Sequence, residues 1–239
     1  MRQYRGAGGE ECVWYEEDEI ERMMEAELRK SDLSPTSAAP VVDLEKFIAR
    51  HLKAKLDQYA DLDPTVLGVT EFFTGGAPKV SINRVLTGSA LDEDETQPGI
   101  LGRWRATLAH EAAHIVLHRF LYEFAAGNLS LFDREPADGG ARQRLLRCLK
   151  RNLSYGNVSD WREVQANKGM AALLMPRRVF SEMARVEIDT AYPATKAIPT
   201  EGDEQIVAKL AAAFQVSRQA ARIRLSTLRL VSPPGQGQL

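Results

Sequence analysis

The spacing of apolar positions predicts a chain that is mostly helical, with one β-prone stretch in its first half. From Val41 to Tyr59 apolar residues recur at intervals of three and four, which predicts an amphipathic helix. The next segments, "TVLGVTEFF" and "KVSINRVL", are β-prone and separated by "TGGAP", so they predict a hairpin. Residues 102–124 return to helical spacing, and "SDWREVQANKGMAALLMP" predicts a further helix that Pro176 ends.

The same pattern divides the chain into an N-terminal arm and linker, a central domain with one insertion, a C-terminal helical pair and a tail. These segments cover residues 1–40, 41–200 with the insertion at about 125–158, 201–230 and 231–239. In the arm, the charge run from Glu10 to Glu27 favours a solvated segment over a helix with one apolar edge. The insertion contains "ARQRLLRCLKRNL", which predicts a basic amphipathic helix. We expect the tail to be disordered.

The charge and the cysteine content indicate which cellular compartment and which partners to expect. The 31 Lys and Arg against 33 Asp and Glu give a formal net charge of -2, so overall basicity does not indicate a nucleic-acid or membrane surface. Cys12 and Cys148 lie far apart without a CxxC pattern, which favours free thiols in a reducing compartment. The N-terminus has no apolar signal core, and no run approaches the ~18 apolar residues that span a bilayer. We therefore expect a cytoplasmic protein.

The segment "LAHEAAHIVLH" contains three of the four histidines of the chain. Residues four apart project from one face of a helix, so His110 and His114 can bind a single zinc ion. Glu111 lies beside that face, where it can hold a water molecule and accept its proton. A helix whose histidines only hydrogen-bond to carbonyl groups is the alternative. The complete HExxH spacing favours zinc, with one ion per chain.

A catalytic zinc site keeps three protein ligands, so a third residue is required. His118 lies two turns from His110 and cannot close the site with both histidines; we interpret it as a satisfied polar group or as a neighbour that lines the cleft. Glu163 lies on the next predicted helix, where its carboxylate can face the histidines. With Asp160 as the N-cap, however, Glu163 would also complete a capping box. Spacing alone leaves both interpretations open.

The segments "VSINRVLTG", "GRWRATLAHEAAHIVLH" and "EVQANKGMAALLMP" together resemble the ImmA/IrrE family of zinc metallopeptidases, in the same order. The resemblance implies that Glu163 is the third zinc ligand, and Asn167 also falls on the family pattern. That pattern often has a second glutamate where this chain has Gln165 and a phenylalanine where it has Gly169. The implied fold is α+β: a mostly helical zincin-type metallopeptidase domain with a small β-hairpin or sheet and a C-terminal helix-turn-helix-like segment.

The resemblance also implies a function, that of an endopeptidase which cuts a helix-turn-helix transcriptional repressor in a stress or mobile-element response. From the residues themselves we expect zinc-assisted hydrolysis with Glu111 as the catalytic base. The strand beside the motif helix could align an extended substrate by strand addition. The residues predicted for this role are Ser81, Ile82 and Asn83. The candidates for a donor to the oxyanion are His118, Tyr122 and Tyr155.

The C-terminal segment "LAAAFQVSRQAARIRL" resembles a helix-turn-helix, with Ser217 as the cap of its second helix. Arg218, Gln219 and Arg222 are the candidate contacts to DNA or to a protein partner. Because the basic residues are few, we favour structural packing over DNA contact. The alternative function is a non-proteolytic DNA-binding or protein-interaction regulator, similar to an antitoxin, that retains a zinc site.

Overall fold

The computed structural model describes residues 2–5, 11–73, 76–92, 99–127, 143–149, 160–195, 198 and 203–231. Within them the helices are α1 Glu17–Lys30, α2 Leu44–Lys46 with a π-helical turn Phe47–His51, α3 Arg84–Leu91, α4 Ile100–Gly127, α5 Trp161–Leu174, α6 Arg177–Ala191, α7 Glu204–Phe214 and α8 Arg218–Thr227. The strands are β1 Arg2–Arg5, β2 Glu11–Trp14, β3 Lys55–Ala60, β4 Val66–Phe73, β5 Lys79–Asn83 and β6 Gln143–Leu149. This is the mostly helical α+β fold that the sequence predicts. In the part of the chain described, no helix combines the length and the apolar character needed to cross a membrane.

The main sheet has four strands in the order β3, β5, β4, β6. The antiparallel pair β4 and β5 confirms the predicted hairpin, with Gly68 opposite Ile82. Strand β3 runs parallel to β5 on its other side. The prediction that Ser81, Ile82 and Asn83 receive a substrate strand is therefore wrong, because β5 lies inside the sheet and both of its edges are already paired.

Helix α4, which carries the histidines, packs between the sheet and helix α5. Small side chains allow the two helices to approach closely: a Cβ atom added at Gly169 would lie 2.7 Å from the Cβ of Ala113. Helix α5 begins at its N-cap Asp160, whose side chain accepts from the backbone N–H of Arg162 at 2.9 Å. It ends before Pro176, because the residue preceding a proline is disfavoured in the helical conformation. The buried contact between α4 and α5 holds the residues of the predicted metal site.

Helix α1 belongs to the core, which contradicts the interpretation of residues 10–27 as a solvated arm. Its side chains Ile20, Met24 and Leu28 are buried, and the helix packs against α5. Three of the carboxylates that suggested an arm, Glu17, Asp18 and Glu19, occupy its first turn, where they stabilise a helix N-terminus, and Glu21 is buried. A narrow apolar edge is enough to bury this helix because α5 offers a matching surface.

Two helix predictions fail where strand pairing overrides helical spacing. The helix predicted from Val41 to Tyr59 stops at His51; Lys53 takes a left-handed conformation with φ 54°, and β3 follows. The basic helix predicted in the insertion is instead strand β6, which pairs with β4 along its length. Helix α4 extends over residues 125–127 of the predicted insertion, whereas residues 128–142, residues 150–158 and the tail from residue 232 lie outside the described residues.

Helices α7 and α8 form the predicted C-terminal pair, with the change of direction at Gln215, whose φ is 53°. Ser217 caps α8, as predicted. The guanidinium of Arg224 is buried against the carboxylate of Glu21 and also donates to the carbonyl of Met175 at 2.7 and 3.0 Å. This pair of helices is therefore anchored to α1 and to the end of α5.

Candidate metal centre

Three side chains from α4 and α5 converge on one point, and all three are buried. His110 and His114 are one helical turn apart, with their Nε2 atoms 3.1 Å from each other. The two carboxylate oxygens of Glu163 lie 3.1 Å from His110 Nε2 and 3.2 Å from His114 Nε2. Glu163 therefore faces the histidines, while the side chain of the N-cap Asp160 accepts from the backbone N–H of Arg162.

The spacing of these atoms fits a small divalent cation. Ligands held at ~2.0 to 2.1 Å in a tetrahedron are about 3.3 to 3.4 Å apart, close to the 3.1 and 3.2 Å found here. Two imidazoles and one carboxylate are also a donor set that catalytic zinc uses, with a fourth position left for water. The site can thus hold a metal ion.

Hydrogen bonds on the far side of each ring direct the Nε2 atoms toward this point. His110 Nδ1 lies 3.1 Å from the side-chain oxygen of Asn167, and His114 Nδ1 lies 3.0 Å from His118 Nδ1. When both Nδ1 atoms donate outward, the two Nε2 atoms and the Glu163 carboxylate are all acceptors that face one another, an arrangement that a metal cation can satisfy. Hydrogen bonding with the two histidines lowers the pKa of the Glu163 carboxyl although its burial acts to raise it.

Glu111 is fully buried beside these three side chains and is held by strand β4. The hydroxyl of Thr70 donates to Glu111 Oε2 at 2.5 Å, whereas Oε1 has no hydrogen-bond partner among the described residues. Burial raises the pKa of the Glu111 carboxyl to about 7, although His110 and the Thr70 hydrogen bond act to lower it. A carboxylate with one free oxygen and a pKa near neutrality is suited to proton transfer.

Gly68 allows strand β4 to approach this carboxylate. A Cβ atom at position 68 would lie 2.6 Å from Glu111 Oε1 and 2.8 Å from Thr107 Cγ2. Neither Gly68 nor Thr70 was found by sequence reasoning. The available signal was the glycine inside the apolar run "TVLGVT", since a glycine within a strand often marks a close approach.

Of the three predicted donors to an oxyanion, the described residues place only the side chain of His118, and it does not face the metal centre. His118 lies behind His114, on the side of the ring away from Glu163, and its ring meets Trp161 edge-on with centroids 5.5 Å apart. Burial lowers the pKa of His118 well below its ordinary value, and His114 adds to this effect. His118 is therefore a buried, hydrogen-bonded group. Tyr122 lies in α4 and Tyr155 follows it in the chain, but the side chain of the first and the whole of the second are outside the described residues.

A cavity of about 730 Å³ starts one helical turn from His110, at Ala106, and extends between α4, α5 and α8. None of the three converging side chains lines it. Of the predicted partner contacts, Gln219 lines this cavity, Arg218 is exposed, and Arg222 is exposed but ion-paired with Glu204. The structure gives these three residues no shared surface with the metal centre.

Paired histidines on one helix, an intervening glutamate and a carboxylate from the next helix are the arrangement of a metallopeptidase-type site. The comparison with known families agrees with this class: the model of Peptidase_M78, described as the IrrE N-terminal-like domain, matches residues 101–226, more than half of the chain. The chain belongs to this ImmA/IrrE family of metallopeptidases. No curated protein matches the sequence.

Proposed function

We propose that the chain is a zinc-dependent endopeptidase that hydrolyses a peptide bond in a protein substrate. The observation that carries this proposal is the convergence of His110, His114 and Glu163 beside a carboxylate, Glu111, that is not one of the three. A purely structural metal site would use four protein ligands and would have no need of an adjacent base. Membership of a metallopeptidase family supports the same conclusion.

The three ligands would hold the ion, and Glu111 would move the proton. Zinc in this position would polarise the scissile carbonyl and ease the loss of a proton from the attacking water. Glu111 Oε1 is the atom available to take that proton, because Thr70 occupies Oε2. The same carboxyl group can then pass the proton to the leaving amine. The Thr70 hydrogen bond and the close packing of Gly68 keep the carboxylate in one orientation during both transfers.

For the substrate we propose a helix-turn-helix transcriptional repressor, whose cleavage relieves repression in a stress or mobile-element response. This part of the proposal rests on the family resemblance. Direct DNA binding by α8 is not favoured, since Arg224 is buried against Glu21 and Arg222 is paired with Glu204. We expect the enzyme to act in the cytoplasm.

The test compares wild type with Glu111→Gln, using a repressor encoded in the same operon as substrate. Glu111→Gln keeps the size of the side chain but cannot accept a proton, so cleavage should fall by ~10²- to 10⁴-fold while bound zinc, measured by mass spectrometry of the metal, stays near one per chain. Glu182→Gln changes an exposed glutamate on α6 and is the matched control, with cleavage unchanged. Cleavage by Glu111→Gln at the wild-type rate would refute the assigned base, and loss of zinc would show that Glu111 is a ligand.

A further inference from the structure

A chain of buried hydrogen bonds leads from the metal centre to the N-terminal strand β2. His114 Nδ1 lies 3.0 Å from His118 Nδ1, and His118 Nε2 lies 3.2 Å from Gln165 Oε1. The side-chain amide of Gln165 donates to the carbonyl of Val13 at 2.9 Å. All four residues are buried, so water does not compete for these bonds.

The donor and the acceptor of each of these hydrogen bonds can be assigned from the last acceptor, the carbonyl of Val13. The Val13 carbonyl can only accept, so the NH₂ group of Gln165 faces it and Oε1 faces His118. Because Gln165 Oε1 accepts from His118 Nε2, a neutral His118 keeps a lone pair on Nδ1. That lone pair requires a proton on the Nδ1 of His114, and a neutral His114 then has its lone pair on Nε2, the atom that faces Glu163.

We propose that His118 and Gln165 are positioning residues that fix the tautomer and ring orientation of His114, and so set the affinity of the site for its metal. The proposal rests on the metal site of the proposed function. It also makes β2 a part of the metal centre's support, although Val13 lies outside residues 101–226 that match the family. Partners of this kind typically change metal affinity by ~10- to 100-fold when they are removed.

The first measurement is the tautomer itself, in wild-type protein without metal. Only four histidines occur in the chain, so each imidazole in a ¹⁵N-histidine sample can be assigned by long-range ¹H–¹⁵N spectra. We expect a proton on Nδ1 of His114 and on Nε2 of His118. The opposite tautomer at either ring in the folded wild-type protein would overturn the proposed positioning of His114, whatever the results with the variants.

A matched pair of variants at position 118 then tests the effect on the metal. His118→Leu removes the acceptor for His114 Nδ1 and should weaken zinc binding, measured by competition with a chelator, by ~10- to 100-fold. His118→Asn places an amide oxygen close to the position of Nδ1 and should restore the affinity to within a few-fold of wild type. A structural role alone predicts no such rescue.

A second pair of variants, at position 165, tests the same hydrogen bonds, so the result does not depend on the folding of a single variant. Gln165→Leu should loosen zinc binding as His118→Leu does, whereas Gln165→Glu still accepts from His118 but cannot donate to Val13, so it should bind zinc more tightly than Gln165→Leu. Leu117→Val, a buried change on α4 beside His118, is the control: it should lower the melting temperature and leave zinc affinity unchanged. Equal zinc affinity for wild type, His118→Leu and Gln165→Leu would overturn the positioning role of His118 and Gln165 but not the proposed function. Failure of the wild type to bind zinc would overturn both.

Discussion

Replacing Gly68 by alanine should separate the position of the base from the binding of the metal. The added methyl group would lie 2.6 Å from Glu111 Oε1 and 2.8 Å from Thr107 Cγ2, about 0.7 to 0.9 Å short of the ~3.5 Å at which contacts become favourable. Strand β4 lies between two other strands and cannot withdraw, so the Glu111 carboxylate must move. We expect a loss of ~1 to 3 kcal/mol in the free energy of unfolding and a fall of ~10²-fold in kcat, with zinc content unchanged.

The assay combines urea unfolding, metal content and repressor cleavage on the same preparations. Gly88→Ala is the matched control, because Gly88 is exposed in α3 and a Cβ atom there would meet nothing within 4 Å. That substitution should raise stability by ~0.5 to 1 kcal/mol and leave cleavage unchanged. If Gly68→Ala cleaves the repressor at the wild-type rate, the orientation of Glu111 by β4 does not matter for catalysis and the reasoning fails.

Three further predictions concern the ligands, the ion and the buried ion pair. Glu163→Gln should weaken zinc binding, measured by chelator competition, by more than the ~10- to 100-fold typical of an outer hydrogen-bonding partner, and equal affinity would show that the carboxylate is not a ligand. Removing zinc with a chelator should destabilise the wild type by about 4 kcal/mol relative to a free zinc concentration 1,000 times the Kd, and the melting temperature of His110→Ala should not respond. Arg224→Met should cost up to ~3 to 5 kcal/mol in urea unfolding because buried Glu21 loses its hydrogen bonds with Arg224 and keeps the longer contact with Arg177 Nε at 4.0 Å. The double variant Glu21→Leu/Arg224→Met should recover most of that loss, and a double variant no more stable than the single one would contradict this account.

Sequence spacing predicted the local part of the metal centre and missed the part that depends on contacts between distant segments. His110, Glu111 and His114 lie on one helix, so a period of 3.6 residues places them together without any knowledge of the fold. Glu163 needed a second helix to pack in a particular orientation, and the spacing left it undecided. Gly68 and Thr70 act on Glu111 from a strand some forty residues earlier, and no local pattern records such a contact.

The wrong predictions about the fold also arise from contacts between distant segments. Strand β6 and strand β3 carry helical spacing but pair with β4 and β5, and the hydrogen bonds of a sheet outweigh a weak local preference. Helix α1 was interpreted from its charges, most of which mark its solvated faces. Its buried edge has three apolar side chains, Ile20, Met24 and Leu28, beside the buried Glu21, and the surface of α5 that covers it could not be known from the sequence of α1.

The N-terminal segment contacts two residues of α5, Gln165 and Gly169. Gln165 donates to the carbonyl of Val13, a bond that a carboxylate at this position could not make. Gly169 leaves space for Met24, since a Cβ atom there would already lie 3.0 Å from Met24 Cε. Both residues lie on α5 and contact β2 or α1, and Gly169 also allows the close approach of Ala113 on α4. The N-terminal segment and these two positions therefore form one structural unit with the helix that supplies Glu163.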